Sequence, residues 1–140
     1  MLKNESKRAV IYKRSSTNSE QDLDKQLLEC RKYIERENLE EVEIYSDLGT
    51  KQNLERLIED SKLGEFDCVV LYSLDRLSRR VVDILNIIKI FQNNNVTLRT
   101  IREDINTFDK DSGMNYLINI SASIAQFEQD IIKERNLQKV

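Results

Sequence analysis

Residues 66–74 read FDCVVLYSL, a continuous apolar run that marks a strand buried on both faces. A chain built around such a strand must supply cover for it, and the flanking stretches alternate in period. RAVIYKR (8–14) is apolar and β-branched and predicts a first strand. SEQDLDKQLLECRKYIERENL (19–39) places Leu23, Leu27, Cys30 and Ile34 at helical spacing, with a Ser or Asn before Glu20 and Asp22 suited to the N-cap. EVEIYSD (41–47) alternates apolar and polar and predicts a second strand. NLERLIEDSKLG (53–64) predicts a short helix closed by Gly64. VVDILNIIKIFQNNN (81–95) predicts an amphipathic helix ending in asparagines, and VTLRTI (96–101) a further strand. Strands alternating with helices imply an α/β fold, with a mainly parallel sheet of four to five strands flanked by helices.

A polar loop, REDINTFDKDSG (102–113), leads into one long predicted helix over 114–140. Its apolar positions, among them Leu117, Ile124, Phe127, Ile131 and Ile132, form a wide stripe. That stripe is longer than a four-stranded sheet can cover. Its far half is expected to meet another subunit or to continue into a further segment. The organisation expected is therefore an α/β core, 1–112, followed by a long helix for assembly, 113–140.

The 140 residues suit one domain with a proper core, and no proline and only three glycines leave no linker to divide it. No apolar run is long enough to span a bilayer, and the polar start MLKNESKR lacks a signal-peptide core, so the expectation is a cytoplasmic protein without membrane contact. Cys30 and Cys68 are then expected to be reduced core residues. A net charge of −3 argues against a self-sufficient nucleic-acid binder. The absence of histidine removes the usual general base and the commonest metal ligand. The acidic residues Asp104, Asp109 and Asp111 lie in a loop of the kind that is usually solvated, so neither a metal nor a cofactor is expected.

In parallel sheets function gathers at the carboxyl ends of the strands. Three stretches fall there: Arg14 to Thr17, Asp47 to Lys51, and LDRLSRR (74–80). In YKRSST, Ser15 and Ser16 follow Arg14 and serve either as a polar turn before the helix or as a nucleophile beside a guanidinium. Arg76 and Arg79 share one side of a turn or helix and, with Arg14, could hold a phosphodiester, because the planar guanidinium fork fits phosphate oxygens. Taken alone, Asp75 and Arg76 also read as an ordinary surface ion pair.

The order YKRSST, DKQ, LYSLDRLSRR and SIAQFEQDIIKER resembles the catalytic domain of the serine recombinases, the resolvase/invertase family, from about Ala9 to Arg135. The resemblance implies that Ser16, two residues after Arg14, is the nucleophile, while Ser15 stands where the family usually has an apolar residue. It implies that Arg14, Arg76 and Arg79 bind phosphate, with Asp75 as their acidic partner. Gln26 matches a glutamine that organises the site, Asp47 an acid at the end of the second strand, and Glu128 and Arg135 polar positions of the long helix. Lys51 stands where the family usually has an arginine, and a lysine supplies charge without the bidentate fork.

The activity implied is site-specific recombination of double-stranded DNA through a 5′-phosphoserine link, by a homodimer that pairs into a tetramer. The resemblance also implies a DNA-binding region after the long helix, which would account for the acidic charge of this part. Two rivals stand beside it. One is a non-catalytic α/β regulatory domain with Asp47 as phospho-acceptor, although Lys13 and Arg14 sit where such domains want an acidic pair. The other is a recombinase-like domain that has lost activity.

Overall fold

A computed structural model of the chain describes residues 7–16, 19–107, 129, 131–133 and 135. Strand β1 (Arg8–Ser15) leads to helix α1 (Glu20–Arg36), β2 (Glu40–Leu48), α2 (Gln52–Asp60), β3 (Cys68–Leu71), α3 (Val81–Asn93) and β4 (Thr97–Thr100). The strands form one parallel sheet in the order β2-β1-β3-β4, the mainly parallel α/β arrangement expected from the alternation.

The pleat of β1 sorts its side chains between two cores. Val10 and Tyr12 pack with Val69, Leu71 and Leu98 under Leu54 and Leu57 of α2 and Ile84, Ile87, Ile88 and Phe91 of α3. Ala9 and Ile11 face the other way, with Cys68 and Val70, under Cys30, Tyr33 and Ile34 of α1. Cys30 and Cys68 are both free and buried; burial first of all pushes their thiols up to about 12 and about 11.

Local chemistry sets the helix ends. Ser19 caps α1, its hydroxyl accepting from the Asp22 N–H at 3.1 Å. The helix stops at Arg36, three residues short of the expected 39, because Asn38 takes the left-handed conformation (φ 56) and Leu39 N–H turns back to the Ile34 carbonyl at 2.9 Å. Helix α3 ends the same way, with Asn95 at φ 59 and Val96 N–H on the Phe91 carbonyl at 2.9 Å. Helix α2 gives way to a 3₁₀ turn, Ser61–Leu63, before Gly64 reverses the chain at φ 72.

Strand β3 is shorter than its apolar run predicts. Pairing with β1 covers Ala9 to Tyr12 only, whereas β1 and β2 stay paired as far as Ser15 and Leu48. Beyond Leu71 the chain leaves the sheet and forms a second 3₁₀ turn, Leu74–Arg76. A notch results at the carboxyl edge, bounded by the extension of β1 on one side and this turn on the other.

Gln129, residues 131–133 and Arg135 are helical. The rest of the expected long helix, including Ile124, Phe127 and Glu128, lies outside the described residues, as do Asp109 and Asp111. Among the described residues no helix is long and apolar enough to cross a membrane.

Candidate active site

The notch leaves a backbone problem that the site residues solve. Along β1, Arg8 carbonyl accepts from Asp67 N–H on the β3 side, and Lys7 and Ser15 carbonyls accept from Glu40 and Gly49 on the β2 side. By this alternation the backbone groups of Arg14 face β3, which has already ended. Gln26, buried on α1, takes the place of the absent strand: its Oε1 accepts from Arg14 N–H at 3.0 Å and its Nε2 donates to Arg14 carbonyl at 2.8 Å. Arg76 Nη1 donates to the same carbonyl at 3.2 Å. The Arg14 side chain crosses toward β2, where its Nε donates to the Thr50 carbonyl at 3.1 Å.

The two serines have opposite fates. Ser15 is the last residue of β1 and only 2% exposed, whereas Ser16, one residue on, is exposed. The Ser16 hydroxyl has no hydrogen-bond partner among the described residues. Since β1 ends before Ser16, it is burial of Ser15 in the sheet, rather than strand alternation carried through position 16, that separates them.

Arg76 Nη1 also pairs with Asp22 Oδ2 at 3.0 Å, closer than its Nε comes to Asp75 Oδ1 (3.8 Å). Arg76 Nε is buried and has no hydrogen-bond partner among the described residues. Asp75 accepts from the Ser73 hydroxyl and lies 4.0 Å from Arg102 Nη1. The Glu103 carboxylate accepts from Leu74 N–H at 3.2 Å and so holds the start of the 3₁₀ turn. Arg79, three residues after Arg76, is exposed and unpaired among the described residues.

Asp47, opposite Arg14 in register, is 2% exposed and saturated. It accepts from Asn53 and Leu54 N–H, both at 2.9 Å, from Tyr12 Oη at 2.8 Å and from Thr50 Oγ1 at 3.3 Å. A carboxylate on the first N–H groups of α2 satisfies the helix's orphan donors. Burial, and then the bond to Asp47, push the Tyr12 phenol well above its ordinary value. Lys51 occupies the N-cap position itself but makes no side-chain cap; it is exposed and unpaired among the described residues. Arg135 is helical and exposed.

The structure thus joins Arg14, Gln26 and Arg76 by hydrogen bonds, sets Asp75 beside Arg76, and puts Asp47 under the adjoining loop. Ser16, Arg79 and Lys51 remain uncommitted at the same edge. Sequence reasoning missed Asp22, Ser73, Arg102 and Glu103. Asp22 alone carried a signal, four residues before Gln26 on one helix face.

An uncommitted hydroxyl at a strand end, beside fixed and free guanidiniums, can present a nucleophile to a bound phosphodiester. The comparisons agree with that chemistry: the family model of the resolvase N-terminal domain matches residues 9–140, and the chain belongs to this family. It is 33% identical over 87 residues to the transposon Tn552 DNA-invertase BinR of Staphylococcus aureus, covering 61% of this chain and 44% of that protein. It is 28% identical over 128 residues to a resolvase of Clostridium perfringens, covering 90% of this chain and 66% of that one. The chain therefore spans between about half and two thirds of these relatives. The solved N-terminal catalytic domain of TP901-1 integrase superposes with a TM-score of 0.76 at 31% identity, covering 89% of this chain and 98% of that domain.

Proposed function

We propose that this chain is the catalytic part of a site-specific serine recombinase acting on double-stranded DNA. The Ser16 oxygen attacks a backbone phosphorus and the bond from phosphorus to the 3′ oxygen breaks. The serine proton is lost, the 3′ oxygen gains one, and a 5′-phosphoserine link remains. Rejoining is the same exchange in reverse with a new 3′-hydroxyl. The phosphodiester energy stays in the covalent link, so the reaction needs no nucleotide cofactor. Arg14, Arg76 and Arg79 stabilise the charge that builds on the phosphate oxygens. Asp75 orients Arg76 or passes a proton to the leaving oxygen, and Gln26 and Asp47 hold the edge in shape. Lys51 adds charge at the mouth of the site, and Arg135 contributes from the helical segment.

The observation that carries this reading is the contrast between buried Ser15 and exposed Ser16 beside an Arg14 whose backbone is held at both groups. The regulatory-domain reading is disfavoured by Asp47, whose oxygens are already occupied by four donors. The test is covalent trapping on a nicked DNA substrate with the full-length protein. A covalent adduct that disappears in Ser16→Ala supports the reading, and an adduct that survives it overturns the assignment.

Cutting both strands at two sites requires four serines, so the working unit proposed is a tetramer assembled from dimers, with residues 113–140 as the assembly element beyond the 1–112 core. The apolar stripe through Ile124 and Phe127 supports this. Phe127→Asp should shift the oligomer toward monomer in sedimentation and abolish recombination while circular dichroism is unchanged. Synapsis unaffected by that change would remove the helix from the interface.

A further inference from the structure

Asp22 opens α1, and its position three residues after Ser19 is the one from which a capping-box side chain returns to the cap's own N–H. Its Oδ2 is used elsewhere: it accepts from Gln26 Nε2 at 3.2 Å and from Arg76 Nη1 at 3.0 Å. Gln26 in turn holds both backbone groups of Arg14, and Arg76 Nη1 reaches the Arg14 carbonyl. The bonds close a ring through Asp22, Arg76, Arg14 and Gln26. Within that ring Arg76 spends only Nη1 on hydrogen bonds; Nε and Nη2 have no hydrogen-bond partner among the described residues. The ion pair is partly shielded, with side-chain exposures of 25% for Arg76 and 32% for Asp22. It lies beside a cavity of about 370 Å³ lined in part by Asp22, Gln26, Tyr72 and Arg76.

We propose that Asp22 is a positioning residue for DNA cleavage. It anchors the Arg76 guanidinium by one amino group, so that the other, Nη2, is held ready for the scissile phosphate. The assignment rests on the recombinase reading above. Its physical basis is that a donor already fixed in place costs no reorganisation when charge develops, whereas a free arginine must first be ordered. Misplacement by an ångström is enough to cost large factors in rate.

The experiment measures the rate of covalent adduct formation on nicked DNA, and DNA affinity separately, with the full-length protein. Asp22→Ala should slow adduct formation roughly tenfold or more while affinity stays within about twofold. Asp22→Asn, whose amide oxygen can still accept from Arg76 and Gln26, should recover most of the rate. Glu20→Ala removes a neighbouring first-turn charge whose side chain makes no hydrogen bond or ion pair among the described residues, and should leave the rate unchanged. Because Asp22 acts through Arg76, adding Asp22→Ala to Arg76→Ala should slow that variant no further. If Asp22→Ala does not fold, Asp22→Ser, one atom too short for the bridge, is measured in its place with the same expectation. No adduct from the unaltered protein, or one that survives Ser16→Ala, overturns the recombinase reading and this assignment with it. A Ser16-dependent adduct formed at full rate in Asp22→Ala, or an equal further loss when Asp22→Ala is added to Arg76→Ala, overturns the positioning role alone.

Discussion

The two edges of the sheet use their arginines in opposite ways. At the amino edge, Arg8 is committed: its N–H and Nε reach Asp67 Oδ2 at 2.8 and 3.3 Å, and its Nη2 reaches Asp67 Oδ1 at 3.3 Å and the Gly64 carbonyl at 3.0 Å. Hydrogen bonding and the charge of Asp67 raise the Arg8 pKa. Burial alone would raise the Asp67 carboxyl, but the bonds from Arg8 outweigh it and hold that group below its ordinary range. This pair ties the start of β1 to the turn before β3. At the carboxyl edge Arg76 is bound by one amino group, and Arg79 and Lys51 are unpaired among the described residues. Cations without a partner add nothing to the fold through ion pairing, and native chains keep such locally unrewarded residues mainly at functional sites. The contrast separates an arginine that holds the fold from arginines left available for an anion.

The largest effect that would sharpen the contrast is at Ser16. Ser16→Ala should remove covalent DNA adduct entirely, whereas Ser15→Ala, at the buried end of β1, should leave substantial cleavage. Loss of cleavage in Ser15→Ala with retention in Ser16→Ala would exchange the two roles.

Next come the arginines. Neutralising Arg14, Arg76 or Arg79 singly should slow cleavage by about a hundredfold or more, the scale for one preorganised donor. DNA affinity should fall only modestly, because these donors are proposed to act on charge that develops in the transition state rather than on docking. Equal losses in binding and cleavage would make the carboxyl edge a docking patch. Arg8→Ala should leave cleavage alone, and if it slows cleavage as much as Arg76→Ala the comparison of edges fails.

Asp47 marks where the carboxyl edge is structural. Asp47→Ala strands two helix N–H groups and the Tyr12 hydroxyl in a buried site, and should destabilise the fold by ~3 kcal/mol in denaturant titration. A loss below ~1 kcal/mol would show that water replaces the carboxylate there.

The smallest effect is at the amino edge and is pH-dependent. The folded pKa of Asp67 lies below its unfolded value of about 4. Its contribution is therefore complete above that pH and is lost as pH falls through the folded pKa. Asp67→Asn should lower Tm slightly at neutral pH and flatten the acid limb of the Tm profile. An acid limb identical to that of the unaltered chain would mean that other carboxylates govern it.

Much of the architecture was legible in the chain itself, because its signals are local. Ser19, Gly64 and the asparagines at the end of α3 act through their own backbone conformations and nearest hydrogen bonds, whereas the left-handed turn at Asn38 escapes the sequence pattern, which draws the first helix three residues too long. The strand and helix periods come from side-chain geometry within a few residues, so element order and the parallel α/β class could be read directly. Arg14, Gln26 and Arg76 could be singled out as well, through the strand end and the motifs around it. What tertiary structure alone decided is who meets whom. The strand order β2-β1-β3-β4 makes β1 central and lets it outrun β3. That early stop exposes the backbone of Arg14, recruits Gln26 to it, and brings Asp22 to Arg76 across 54 residues of chain. The apolar run 66–74 could not announce the stop, because Phe66 and Leu74 pack against the same core without pairing in the sheet. Burial, which a run of residues reports, and strand pairing, which requires a neighbour in register, are separate physical conditions, and only the folded sheet shows where they part.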